Sequence, residues 1–222
     1  MKNILAIFAH PDDEILACGG TLKKRIMSGD KVYILILSNG CGSRDTKENE
    51  FEVKKRIVSC KNASDLLGFE VLDIGNFKDN SFDASTLLEI VKYIENKTFK
   101  IKPQEIFTHF NGDLNLDHRI TFKAVITAFR PHIINNSLKI LQSEINSSTE
   151  CLFDKKIFFP NHFENIDKTI DLKIKAMNFY KQELRSWPHP RSIKGIKTLA
   201  SYRGMQSSFN YAEAFSIYFS KN

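Results

Sequence analysis

Three carboxylates and one imidazole fall within five consecutive residues, His10-Pro11-Asp12-Asp13-Glu14. A buried core has no use for such a density of ionisable groups, whereas a metal ion or a reaction does. A second stretch far down the chain, Asp113-Leu114-Asn115-Leu116-Asp117-His118, again sets an imidazole beside a carboxylate. His10 and Asp13 can reach one divalent ion, with His118 as a third ligand. Two imidazoles and one carboxylate leave positions open for water and substrate, as in catalytic zinc sites and some iron(II) sites. Asp12 then stays off the metal as the base: a metal brings the pKa of bound water down to about 7, and a carboxylate takes its proton. A plainer use is also open. Asp12 or Asp13 can cap a helix that follows, and Asp117 can cap its own helix while orienting a histidine.

Both clusters need elements to bring them together. The run Ile4-Leu5-Ala6-Ile7-Phe8-Ala9 before His10 reads as a buried strand, and an amphipathic helix spans about Glu14 to Ser28, stopped by Gly29. Val32 to Leu37 is a second apolar strand of the kind covered on both faces. A polar loop from Ser38 to Asp45, a helix from about Lys47 to Leu67 stopped by Gly68, and a strand from Phe69 to Ile74 come next. After the loop Asn76 to Asn80, a helix carries Leu87, Val91 and Ile94. A strand at Glu105 to Thr108 leads into His109 to His118, and a helix runs from Asp117 to Phe129. Strand then helix, four times, predicts a right-handed α/β series on a mostly parallel sheet with helices on both faces. Ligands of such a sheet bind beyond the carboxyl ends of its strands, which places both clusters in one crevice. Later in the chain, strands are expected at Lys139 to Gln142, Lys155 to Phe159 and Tyr211 to Phe219, and helices at Ile170 to Leu184 and Arg191 to Tyr202.

The 222 residues fit one domain spanning 1–222, and 42% hydrophobic content is enough for its core. The formal charge of +6 favours anionic partners, a phosphorylated substrate among them. Lys23-Lys24-Arg25 and Lys54-Lys55-Arg56 read as solvated helix faces, and no zinc-finger spacing or basic stripe points to nucleic acid. The four cysteines lack a Cys-x-x-Cys spacing and read as free thiols, and no run approaches the ~18 apolar residues of a membrane span. The expectation is a cytoplasmic protein without a membrane span. A homo-oligomer is compatible with the sequence.

The chain resembles the PIG-L/LmbE-like metal-dependent de-N-acetylases. The resemblance rests on Ala9-His10-Pro11-Asp12-Asp13-Glu14, Gly19-Gly20 and Asp113-Leu114-Asn115-Leu116-Asp117-His118-Arg119. It continues through Ser147-Ser148-Thr149-Glu150, Pro160-Asn161, His189-Pro190-Arg191-Ser192, Arg203-Gly204 and Tyr211-Ala212-Glu213-Ala214-Phe215. It implies a Rossmann-like, LmbE-like fold and hydrolysis of an N-acetylated amino sugar, with nucleotide-linked and phosphorylated sugars among the options, to acetate and a free amine. By resemblance, His10, Asp13 and His118 hold the metal, with zinc expected and iron(II) accepted by the same ligands. Asp12 is the general base and returns its proton to the leaving amine, and Asp117 orients a histidine.

One position departs from the family. Several members carry His-Pro immediately before the Asp-His pair, and that extra histidine is thought to assist the intermediate or the leaving group. This chain has Asn115-Leu116 there, and His109 is the nearest histidine that could replace it. Arg44, Arg191 and Arg203 are the candidates for meeting a hydroxyl, carboxylate or phosphate of the substrate. The alternative to an enzyme is a non-catalytic sugar- or nucleotide-binding module on the same fold. A phosphohydrolase is disfavoured, because no glycine loop to cradle phosphate is present.

Overall fold

The apolar run before His10 forms the middle of the sheet. The computed structural model describes residues 1–40, 50–130, 132, 137–151 and 157–221. Strand β1 (Asn3–Phe8) pairs in parallel with β2 (Lys31–Ile36) on one side and with β4 (Glu105–His109) on the other. Beyond β2 lies β3 (Glu70–Ile74), and beyond β4 lies β5 (Leu138–Ser143), both parallel to their neighbours. Two antiparallel strands complete the far edge, β7 (Ala212–Lys221) against β5 and β6 (His162–Asn165) against β7. The strand order is β3-β2-β1-β4-β5-β7-β6. The chain winds outward from β1 in one direction and resumes at β4 in the other, so the crevice at the carboxyl ends of β1 and β4 is the topological switch point.

Alternation along β1 sends successive side chains to opposite faces. Ile4, Ala6 and Phe8 pack with Ile15, Leu16 and Leu22 of α1 (Asp13–Met27), Cys60 and Ala63 of α2 (Glu50–Leu67), and Met177 of α5 (Ile170–Met177). Leu5 and Ile7 pack on the other face with Ile90 and Ile94 of α3 (Leu87–Thr98) and with Ala124 and Val125 of α4 (Leu116–Ala128). Cover on both faces explains why β1 is apolar throughout rather than alternating. Each large aliphatic side chain removed from water in this way stabilises the fold by about 1.5–3 kcal/mol. Gly29 (φ 85°) and Gly68 (φ 84°) end α1 and α2 in the left-handed conformation that glycine adopts without a Cβ clash.

Several expectations change. Residues 157–160 form no strand, and residues 155 and 156 of the expected Lys155 to Phe159 strand lie outside the described residues. The strand comes later, as β6, beyond Pro160, which has no N–H to give a ladder. The helix expected from Ile170 to Leu184 stops at Met177 and tightens into a 3-10 turn over Asn178–Tyr180. The last helix, α6 (Ile193–Ser207), starts where the Ser192 hydroxyl accepts from Gly195 N at 2.9 Å. The two basic triplets are not simply solvated. Arg25 pairs with Glu105 and Glu164, and Arg56 pairs with Glu183, while Lys54 stays out in water. Among the described residues, no helix is long and apolar enough to cross a membrane.

Candidate active site

The turn after β1 is held in a backbone conformation that an ordinary residue avoids. Asp12 has φ 114° and ψ −29°, a departure that costs on the order of 1–3 kcal/mol and persists only where surrounding contacts over-determine it. Those contacts are present. Asp12 O accepts from Ile15 N (3.1 Å) and Leu16 N (2.9 Å), and Asp12 N donates to Glu14 Oε2 (2.9 Å). His10 N donates to Asp13 Oδ2 (2.9 Å), and the Tyr180 hydroxyl donates to Glu14 Oε1 (2.5 Å). The Asp12 side chain makes no capping hydrogen bond to α1. The helix-cap use of Asp12 is thus excluded, and its carboxylate is left for another purpose.

His10, Asp13 and His118 converge as their types suggested. Asp13 Oδ2 lies 3.3 Å from His10 Nδ1 and 3.4 Å from His118 Nε2, and the three donor atoms are close enough to share one ion. All three residues are buried. The far nitrogen of each imidazole faces carboxylate. His10 Nε2 is 3.0 Å from Asp79 Oδ1 and 3.1 Å from Asp117 Oδ2, and His118 Nδ1 is 3.0 Å from Asp113 Oδ1. A carboxylate on the outer nitrogen fixes the tautomer and turns the other lone pair inward, the usual support of a metal-binding histidine.

Asp117 is free for this because Asn115 caps α4 in its place, accepting from Asp117 N at 2.8 Å. Asp117 accepts from Asn80 N (2.7 Å) and Phe82 N (3.0 Å), and the histidine it faces is His10 rather than its neighbour His118. Asp113, which orients His118, is itself held by the hydroxyls of Ser148 and Thr149. Asp113 and Asp79 carried no assignment in the sequence reading. Asp113 stands in the same motif as His118, and Asp79 lies on the loop Asn76 to Asn80, which a parallel sheet brings to the crevice that holds His10.

The electrostatics favour a cation at this point. Burial alone would lower the pKa of His10, yet hydrogen bonds to Asp117, Asp13 and Asp79 raise it well above the ordinary value. His118 is likewise desolvated, and Asp13 and Asp113 push it up to about 9. Burial opposes ionisation of Asp13, but the charges of His118 and His109 and a hydrogen bond from His10 hold it well below the usual carboxylate range. Once a divalent ion displaces the protons that these carboxylates favour, two imidazole nitrogens and a carboxylate oxygen, ringed by further carboxylates, are donors that fit it. Next to them, Asp12 Oδ2 is buried and has no hydrogen-bond donor, only Arg191 Nη1 at 3.5 Å. Burial and the charge of Asp13 push the Asp12 carboxyl up to about 7, against the pull of Arg56 and Arg191. A carboxylate in that setting is a competent proton acceptor.

His109 occupies the floor of this arrangement. It is fully buried, its Nε2 accepts from Ala9 N at 2.9 Å, and its ring stacks on His118 with centroids 3.8 Å apart. Burial and the charge of His118 hold it well below the ordinary histidine pKa. It braces the end of β1 and presents no atom to solvent. Of the three arginines, Arg191 reaches the site: it touches Asp12 and Glu183 and is partly exposed. Arg203 has a carboxylate of its own, Glu144, bound through Nε (2.7 Å) and Nη2 (2.6 Å). Arg44 lies outside the described residues.

The PIG-L family profile, described as GlcNAc-PI de-N-acetylase, matches residues 5–129, over half of the chain and the whole span from His10 to His118. The chain belongs to the PIG-L family. This PIG-L chain is 26% identical over 223 aligned residues to diacetylchitobiose deacetylase of Thermococcus kodakarensis, covering 96% of this chain and 82% of that one. It is 23% identical to a probable N-acetyl-alpha-D-glucosaminyl L-malate deacetylase 2 of Bacillus cereus, over 82% of this chain and 84% of the relative. In fold it is similar to N,N'-diacetylchitobiose deacetylase from Pyrococcus horikoshii, with TM-score 0.78, 21% identity and coverage of 97% and 83%. PIG-L membership makes the chain a metal-dependent deacetylase, and the His10, Asp13 and His118 group is its candidate metal centre.

Proposed function

We propose that this PIG-L protein is a zinc-dependent hydrolase that removes the acetyl group from an N-acetylated amino sugar. The observation that supports this most directly is the buried carboxylate of Asp12, whose Oδ2 receives no hydrogen bond, beside the His10, Asp13 and His118 donor set. A divalent ion held there by those three residues would supply Lewis-acid chemistry, acidifying water and polarising an amide carbonyl. Two imidazoles and one carboxylate suit zinc, and iron(II) would be accepted by the same set.

The chain's own groups supply the proton transfers and the positioning. Asp12 takes the proton of the attacking water as its oxygen bonds to the acyl carbon. It gives that proton to the amine nitrogen as the carbon–nitrogen bond breaks, so that acetate and a free amine leave. Asp117 and Asp79 fix His10, and Asp113 fixes His118. His109 acts beneath the site as a positioning residue rather than as a replacement for the family histidine that Asn115 does not provide.

Arg191, partly exposed and adjacent to Asp12, is the cation best placed to meet an anionic substituent on the sugar. The two relatives differ on this point, since diacetylchitobiose carries no charge and the malate conjugate does. Incubating the zinc-loaded protein with N,N'-diacetylchitobiose, an N-acetylglucosaminyl malate and a UDP-linked N-acetylated sugar, and assaying acetate and free amine, tests the reading. Acetate release that stops on chelation and returns with zinc is expected. Saturable sugar binding without acetate would convert the protein into a binding module.

A further inference from the structure

We infer that the buried pair Lys173 and Glu213 is a positioning device for the catalytic turn: it splices a break in α1 and so holds Asp12 and Asp13 in register. The inference rests on the deacetylase reading above for what the turn does.

Helix α1 is not continuous. Cys18 has φ −149° and ψ 17°, which interrupts the helix five residues after it starts at Asp13. A break of this kind strips hydrogen-bond partners from carbonyls before it and amides after it, and in a buried helix each must be satisfied from elsewhere. Glu213, from β7, accepts from Gly20 N at 2.9 Å and from Thr21 N at 2.7 Å, closing the downstream half. Lys173, from α5, donates to Leu16 O at 2.8 Å and to Glu213 Oε1 at 2.7 Å, closing the upstream half. The Thr169 hydroxyl donates to Gly20 O at 2.9 Å. Lys173 and Glu213 are 3% and 5% exposed, so both charges are held out of bulk water.

The upstream half is what gives the splice a functional meaning. It is little more than one turn, too short to be stable as a helix on its own. Its first residue is Asp13, and its Leu16 N donates to the carbonyl of the strained Asp12. One residue therefore links the Lys173 ammonium to the Asp12 backbone: Lys173 holds Leu16 O, and Leu16 N holds Asp12 O. Mutual attraction alone does not explain two charges at this place, because a well-packed apolar pair is often as stable as a buried ion pair. What an apolar pair cannot do is bind Leu16 O, Gly20 N and Thr21 N. Displacement of a reacting group by about 1 Å can cost on the order of a hundredfold in rate.

The double variant K173M/E213Q removes both charges, leaves neither partner buried alone, and takes the donor from Leu16 O. Its zinc affinity is read by chelator competition and its kcat and KM by acetate release, beside wild type. The expected result is a folded protein that melts several degrees below wild type, since Leu16 O loses its donor. Zinc binding should be weakened about tenfold and kcat reduced by roughly ten- to a hundredfold, with KM within about threefold. A folded double variant with wild-type zinc affinity and kcat overturns the inference. If that variant does not fold, T169V carries the test, since it keeps both charges and removes only the hydroxyl on Gly20 O. A roughly threefold loss of kcat with weakened zinc binding is then expected, and unchanged values overturn the inference. A wild-type protein that binds zinc but releases no acetate removes the deacetylase reading, and the zinc affinities still judge the splice.

Discussion

The part of the chain up to Ala128 and the part from Leu138 onward do different work in the same site. The first places its candidate metal ligands at two adjacent parallel strand ends, His10 and Asp13 after β1 and His118 after β4. The second, whose last two strands run antiparallel, contributes no member of the His10, Asp13 and His118 group, yet it braces that group from behind. Ser148 and Thr149 hold Asp113, Tyr180 holds Glu14, and Arg191 touches Asp12. The difference teaches that coordination here is a local property of two motifs, whereas preorganisation is delivered from residues remote in sequence.

Removing chemistry from the first region gives the largest effects, and two variants separate its roles. Asp12→Ala is expected to retain zinc while kcat falls by roughly 10² to 10⁴, the range a positioned acid–base group supplies. His118→Ala should lose both zinc and turnover. Metal analysis beside an acetate assay reads the contrast, and an active Asp12→Ala protein would end the assignment of the base.

The bracing carboxylates come next. Asp113→Asn and Asp117→Asn should each weaken zinc binding by about 10- to 100-fold in chelator competition, the range for an outer partner of a metal-binding histidine. Asp113 is held from the second region and Asp117 by backbone amides of the first. Replacing both Ser148 and Thr149 by alanine and valine should therefore reproduce part of the Asp113→Asn loss while leaving Asp113 in place. Zinc affinity that ignores the Ser148 and Thr149 replacements would show that bracing from the second region is dispensable.

Arg191→Gln is expected to be milder and selective. It removes a partly exposed cation, so KM for an anionic N-acetylated sugar should rise by about three- to tenfold, with KM for diacetylchitobiose little changed. Equal effects on both sugars would return Arg191 to a purely structural role beside Glu183.

The contrast between the two regions also explains what the sequence made legible. Five adjacent residues carry His10, Asp12 and Asp13, and a strand with both faces covered announces itself as an unbroken apolar run. Both signals are local, and both survived. The partners of the second region are set by tertiary packing that leaves no spacing to read. Lys173 sits within α5 and Glu213 near the start of β7, and neither signals that they meet at a break in α1. Arg25, which reads as solvated, is paired for the same reason, since Glu164 reaches it from a distant element, and Arg203 likewise meets Glu144. Asn115 was noticed only as a missing histidine, and its work as the cap of α4 became visible once Asp117 was seen turned toward His10.

The smallest effect concerns how the second region is fastened to the first, and it is read through pH. Glu164 of β6 binds Lys24 Nζ and Arg25 Nη2 of α1, each at 2.6 Å, with His162 Nε2 at 3.1 Å. Burial opposes its ionisation, but His162, Arg25 and Lys24 hold its pKa well below the ordinary 4.5. A carboxyl whose folded pKa is depressed contributes stability that is fully present above its unfolded value and is lost as pH falls through the folded one. Glu164→Gln should therefore lower stability by about 1–2 kcal/mol at neutral pH, since Lys24 is partly solvated and Arg25 keeps Glu105. The gap between variant and wild type should close progressively as pH drops below about 4.5, where Glu164 of the unfolded wild-type chain takes up its proton while the folded one still holds its charge. Following the difference in chemical-denaturation midpoints from pH 7 down to pH 3 isolates this residue, because acid losses common to both proteins cancel. A gap that stays constant across that window would mean that the clasp holds by packing rather than by charge.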